Sequence, residues 1–99
     1  MPAYVVAQIH VTDPEALGRY AAGVTEVTER FGGRYLYAGP GLSALEGEPQ
    51  PDAMAIIEFP SQADARRWYE SAEYAPLKEL RQTAGSSVFV MTPDTDAAS

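Results

Sequence analysis

A chain of 99 residues with 14 acids against 7 bases, net charge −7, has the length of one domain and a surface that repels phosphate. Nucleic acid and anionic membrane surfaces are excluded as partners on that ground, all the more because the six arginines, Arg19, Arg30, Arg34, Arg66, Arg67 and Arg81, are scattered and form no basic stripe. The absence of cysteine removes disulfides, thiolate nucleophiles, iron–sulfur clusters and Cys-type zinc sites, and the single histidine, His10, is too few for a His-based metal site, so neither metal nor cofactor is expected.

The opening Met1-Pro2-Ala3-Tyr4 lacks the basic and apolar regions of a signal peptide, and no stretch approaches the ~20 apolar residues of a membrane span, so a cytoplasmic protein is expected. Residues 3–11 alternate, Val5, Ala7, Ile9 and Val11 on one face and Tyr4, Val6, Gln8 and His10 on the other, which predicts a strand with one apolar and one mixed face. Asp13-Pro14-Glu15 then opens a helix, with Asp13 as N-cap and Pro14 at the first position. Leu17, Tyr20, Val24, Val27 and Phe31 form its apolar stripe, and Gly32-Gly33 stops it.

Arg34–Ala38 reads as a second strand, broken by the turn Gly39-Pro40-Gly41; Leu42–Glu46 can resume pairing before a proline-rich loop over 47–52. Ala53–Phe59 is a third strand, with Ala55, Ile57 and Phe59 on one face and Met54, Ile56 and Glu58 on the other. Ser61 and Asp64 make a capping-box-like pair for a second helix that turns Ala65, Trp68, Tyr69 and Ala72 inward. Pro76 restarts a short helical piece through Leu77, Leu80 and Ala84, capped by Gly85, and Ser87–Met91 is the last strand. Residues 1–92 are expected to form one domain and 93–99 a flexible tail.

The order β-α-β-β-α-β predicts an α+β, ferredoxin-like antiparallel sheet with both helices on one face. The reverse face still holds Val6, Met54, Ile56 and part of the run Val88–Met91, and the chain has no element left to cover it. Bare apolar sheet of that extent is rarely tolerated by a monomer, and a second copy across a two-fold axis is the economical cover. A homodimer is therefore expected.

Several stretches together resemble a known family: Met1–Ala7, Val11-Thr12-Asp13-Pro14-Glu15, Gly32-Gly33-Arg34-Tyr35-Leu36, Leu45-Glu46-Gly47, Ile57-Glu58-Phe59-Pro60-Ser61, and above all Trp68-Tyr69-Glu70-Ser71-Ala72-Glu73-Tyr74 with Arg81 after it. They are similar to domain-of-unknown-function family 1330, within the dimeric α+β barrel superfamily. The resemblance implies a homodimer whose two sheets close a barrel with the helices outside. The superfamily includes cofactor-free monooxygenases, polyketide cyclases, haem-binding proteins and small stress-response barrels, which share architecture and not a catalytic motif. The haem-binding relatives place a histidine on a helix, whereas His10 lies on the first strand.

Two groups of residues are candidates for chemistry. Gln8, His10 and Glu58 share the mixed face, with Arg34 placed to pair with Glu58; His10 or Glu58 is the candidate acid or base. The plainer reading makes Glu58 a paired structural charge and His10 a strand end. Tyr20, Trp68, Tyr69 and Tyr74 from the helices, with Tyr35 or Tyr37 from the second strand, are either core or the wall of a pocket for a hydrophobic small molecule. Arg81 is expected in a salt bridge before an anion clamp, and Ser61 is a cap. Two functions follow: a non-catalytic module that binds a small molecule or a partner, with Gln8, Tyr20, Arg34, Tyr37, Trp68 and Tyr69 as contacts, or a cofactor-independent enzyme of cyclase, monooxygenase or isomerase type acting on a hydrophobic or aromatic substrate.

Overall fold

The alternation at the start of the chain becomes β1 (Ala3–Val11), in which Ala3, Val5, Ala7 and Ile9 are buried and the residues between them are not. The computed structural model describes residues 1–47 and 50–95. After β1 come α1 (Pro14–Arg30), β2 (Arg34–Gly39), β3 (Ala53–Phe59), α2 (Gln62–Glu70), α3 (Ala75–Ala84) and β4 (Gly85–Met91). All strand pairs are antiparallel and the order across the sheet is β2-β3-β1-β4, the ferredoxin-like α+β fold. Among the described residues no helix is long and apolar enough to cross a membrane.

Local chemistry explains where the helices begin. The Asp13 carboxylate accepts from the Ala16 amide at 3.2 Å, and the Ser61 hydroxyl accepts from the Asp64 amide at 3.1 Å while donating to the Asp64 carboxylate. Tyr20, Val24 and Val27 of α1 then pack with Trp68 and Tyr74 onto Val5, Ile57 and Phe59 of the sheet, forming the core.

Four details depart from, or refine, the expectation. The second crossover is two helices: the Ser71 hydroxyl donates to the Trp68 carbonyl at 2.8 Å and accepts from the Tyr74 amide at 3.1 Å, competing with helix continuation. Ala72, expected inward, is exposed, and fully buried Tyr74 takes the inward place. No strand forms over Leu42–Glu46; Gly41 turns the chain at φ 88° and Leu45 stands out in solvent. Asp52 instead anchors the loop to β1, its amide donating to the Ile9 carbonyl at 2.9 Å and its carboxylate accepting from the Val11 amide at 2.8 Å.

The third detail is a bulge in β2. Tyr35 lies opposite Ile57 and Tyr37 opposite Ile56, so the register slips by one residue at Leu36. Tyr35 and Tyr37 therefore leave on opposite faces of the sheet. Finally, Thr92 and Thr95 bond back to the start of the chain, the Thr92 amide to the Tyr4 carbonyl at 2.9 Å and the Thr95 amide to the Pro2 carbonyl at 2.7 Å. Residues 96–99 of the expected tail lie outside the described residues.

The face away from the helices is ordered in rows. Ile56, Val6 and Val90 lie side by side across β3, β1 and β4; Met54, Gln8 and Val88 form the next row. Val88 is 59% and Val90 55% exposed in the single chain.

Candidate functional site

Small side chains on the helix side of the sheet make room. Ala7, Ala53 and Ala55 lie on that side of β1 and β3, with Ala38 beside Ala55 on β2. Above them α1 presents Leu17, Tyr20 and Val24, and a cavity of about 210 Å³ remains, bounded also by Tyr35 and Phe89. Its wall is overwhelmingly apolar. A larger residue at Ala55 would fill it, so the cavity is a consequence of alanine at these positions and not of a loose fold.

Hydroxyls supply the polar groups next to this space. Thr28 donates to the Val24 carbonyl at 2.8 Å, and its oxygen lies 3.0 Å from the Tyr35 hydroxyl. The Tyr20 and Tyr74 hydroxyls lie 2.8 Å apart in the core. Burial pushes the Tyr20 hydroxyl far above the ordinary tyrosine value, with the neighbouring Tyr74 adding to the rise. Burial also raises Tyr35 and Tyr74. These groups are neutral donors and acceptors at physiological pH, not bases.

Aromatic rings form the wall behind Phe89. Trp68, fully buried, has its ring centroid 4.5 Å from Tyr74 and 5.3 Å from Phe59, and Tyr69 sits 6.0 Å from Phe89. Trp68, Tyr69 and Phe89 border a second, smaller pocket of about 190 Å³ under α2. The expected salt bridge of Arg81 does not form. Its guanidinium, 3% exposed as a residue, lies 4.1 Å over the Phe89 ring and donates to the Ser87 hydroxyl, because α3 packs that side chain inward where no carboxylate is within reach among the described residues.

The opposite face carries the other candidates. Arg34 grips Glu58 through Nη2 at 2.7 Å and Nε at 3.2 Å, and the Tyr4 hydroxyl donates to the same carboxylate at 3.2 Å. The Arg34 hydrogen bonds hold Glu58 below the ordinary carboxylate value, against partial desolvation, and Tyr4 assists. Gln8 lies opposite Met54 and His10 opposite Ser86, whereas Glu58 lies opposite Tyr4. Six residues along a strand put His10 and Glu58 roughly 20 Å apart, so one chain does not bring the two together. Tyr37 is on this face too, its hydroxyl donating to the Pro40 carbonyl.

The depressed Glu58 value has a testable sign. A carboxyl whose folded value lies below its unfolded one adds stability above the unfolded value and loses it as the pH falls through the folded one. Urea unfolding at pH 6 and pH 3 is expected to show a small acid-side loss that Glu58→Gln removes; an unchanged acid slope in that variant would deny the pair any contribution.

A family model described as Domain of unknown function (DUF1330) matches residues 2–93. The chain belongs to this family. No curated protein matches it. Among solved structures, a protein of unknown function from Rhodopseudomonas palustris is similar, with TM-score 0.80 and 21% identity over 96% of this chain and 83% of that one. SnoaB, a cofactor-independent oxygenase from Streptomyces nogalater, superposes with TM-score 0.69 and 12% identity over 97% of this chain and 95% of its own. A dimeric ferredoxin-like protein of unknown function from Thermobifida fusca gives TM-score 0.67 and 12% identity over 95% and 92% of the two chains. At these identities the likeness is one of fold.

In this DUF1330 chain the proposed contacts thus divide into separate places. Tyr20 borders the larger cavity, Trp68 and Tyr69 the smaller pocket, and Gln8, Arg34 and Tyr37 the open sheet face. Phe89 and the alanines of the cavity were missed from sequence. The alternation of β1 and β3 does put Ala7, Ala53 and Ala55 on one sheet face, but Ala38 joins them only through the bulge in β2.

Proposed function

We propose that the chain is a homodimeric binding protein for a small, mainly apolar molecule held between α1 and the sheet. The cavity of about 210 Å³ with its alanine floor carries this reading. An apolar cavity of ~150 Å³ accommodates benzene, so this one has the capacity for a substituted single ring. The open-face row of Val6, Ile56 and Val90, half-buried at the first two and exposed at Val90, supports the dimer, as does the dimeric state of the Thermobifida relative. The enzyme alternative has SnoaB as its fold relative, but the proposed acid and base, His10 and Glu58, stand well apart and Glu58 is already engaged.

Native mass spectrometry of protein taken directly from cells is expected to report two chains with a bound small-molecule mass. Ala38→Trp, at an exposed edge-strand position bordering the cavity, is expected to weaken binding of 4-nitrotoluene at least tenfold without altering the unfolding midpoint. Equal binding by parent and variant would remove the cavity from the account. Turnover of a bound aromatic by the purified dimer would move the reading to the enzyme class.

A further inference from the structure

Arg81 is the one charged residue buried among the described residues, and no carboxylate lies within ion-pair distance of it, in a chain with 14 acids and 7 bases. Its Nε is buried without a partner. Taking an ion out of water without a counter-charge is costly, so buried charges are ordinarily paired. The last turn of α3 offers partial compensation, since a helix C-terminus carries roughly half a negative charge. Half a charge does not balance a guanidinium.

The Arg81 charge stands at the wall of an open groove of about 390 Å³ beside the edge strand β4. Two contacts place it there. Nη1 donates to the Ser87 hydroxyl, and the guanidinium carbon lies 4.1 Å over the Phe89 ring. Ser87 and Phe89 both line the groove, together with Tyr69, Gln82 and Ser86, and no acid lines it among the described residues. Lys78, one turn earlier on α3, holds its ammonium 4.0 Å from the Tyr69 ring. Two cations thus flank the Tyr69 and Phe89 rings, whose centroids are 6.0 Å apart.

The contact with Ser87 has a fixed direction. A guanidinium has donors and no acceptor, so the Ser87 oxygen accepts and its own proton is left over. That proton finds no acceptor among the described residues. An acceptor-only group in the groove would take it and face the Arg81 charge at the same time. A carboxylate is such a group. Tyr69 and Phe89 supply apolar ring surface for the body that carries it, which inorganic phosphate lacks.

We propose that this groove binds a small organic acid, its carboxylate against Ser87 and the Arg81 charge and its apolar or aromatic body against Tyr69 and Phe89. The site shares only Phe89 with the cavity under α1 and stands whether or not that cavity is filled. Ser87 and Phe89 alternate with Val88 and Val90, so a dimer joined through the open face does not use them.

The test is calorimetric titration of the full chain at pH 7 with benzoate and with benzamide, its neutral match. Benzoate is expected to bind at least tenfold tighter, with amide NMR shifts centred on Gln82, Ser87 and Phe89. Arg81→Met is expected to lose at least tenfold in benzoate affinity, and Ser87→Ala, which removes one oxygen from a half-buried position, at least fivefold. Benzamide binding is expected to stay the same in both. Thermal unfolding without ligand identifies a variant that fails to fold, and the parent's preference and shifts decide without any variant. Equal affinity for the two probes, tighter binding of inorganic phosphate than of benzoate, or shifts centred elsewhere would overturn the proposal. Competition by 4-nitrotoluene would also overturn it, by placing the acid in the cavity under α1. A folded Arg81→Met that unfolds below the parent and binds benzoate unchanged would make the arginine a brace for the end of α3 and nothing more.

Discussion

Val6→Asp combined with Val90→Asp is expected to sediment as a single chain at concentrations where the parent sediments as the proposed homodimer. Val6 and Val90 lie directly opposite each other on the open face, and Val6 also faces Ile56 on β3. A standard interface buries ~1,600 Å² in total, and apolar area removed from water contributes about 25 cal/mol per Å². Two aspartates per chain place four carboxylates in the middle of that contact. Unpaired charges leaving water cost several kcal/mol each, so the dissociation constant is expected to rise by more than about a thousandfold. The fold of each chain is expected to survive, because both side chains point away from the core cluster of Val5, Ile57, Phe59 and Trp68. A variant that still sediments as a pair would place the contact between chains elsewhere and return the bare face to solvent. Mutating Arg34 would be a poor substitute for this test, since it is 69% exposed at its side chain and engaged with Glu58 in its own chain.

How far the sequence reveals this molecule depends on whether a feature is periodic. β1, α1 and β3 were legible because their burial repeats every two or every three to four residues, and their ends carry Asp13, Gly32 and Pro60. The open apolar face was legible for the same reason. The cavity was not, and β2 supplies the reason. Simple alternation puts Tyr35 and Tyr37 on one face, whereas the bulge at Leu36 sends Tyr35 toward α1 and Tyr37 away. A single inserted residue separates the two tyrosines and brings Ala38 onto the helix side, opposite Ala55. Arg81 escaped for a different reason. A lone arginine after a helix reads as half of a salt bridge, and only the tertiary meeting of α3 with Phe89 and Ser87 buries it instead. Likewise Ser71, one hydroxyl that competes with the helix backbone, divides the second crossover and carries Tyr74 inward to meet Tyr20.

Gly85→Ala is expected to lower the unfolding midpoint by more than about 10 °C, although it adds one methyl group. Gly85 begins β4 and lies opposite Val11. A β-carbon there would overlap the His10 carbonyl oxygen and stand 3.0 Å from its carbon and 3.1 Å from the Thr12 nitrogen. All three are backbone atoms, so no rotamer change relieves the clash and the strands themselves must part. The same junction holds the neighbouring Ala84 carbonyl, which accepts from the Thr12 and Asp13 amides at 2.8 and 2.9 Å. Moving β4 therefore loosens the start of α1 together with the end of α3. Overpacking ordinarily costs about 1–3 kcal/mol, and an unyielding backbone contact sits at or above the top of that range. In a domain of this size each kcal/mol shifts the midpoint by about 4–8 °C. Gly18→Ala is the matched control: it adds the same methyl on α1, where a β-carbon meets nothing within 4 Å, and it is expected to stabilise by about 0.5–1 kcal/mol through helix propensity. Opposite shifts from two identical additions would locate the stability of this fold in the close approach of β1 and the α3–β4 junction. Equal shifts would mean that β4 is free to move there and that the contact with the His10 carbonyl sets no limit on the junction.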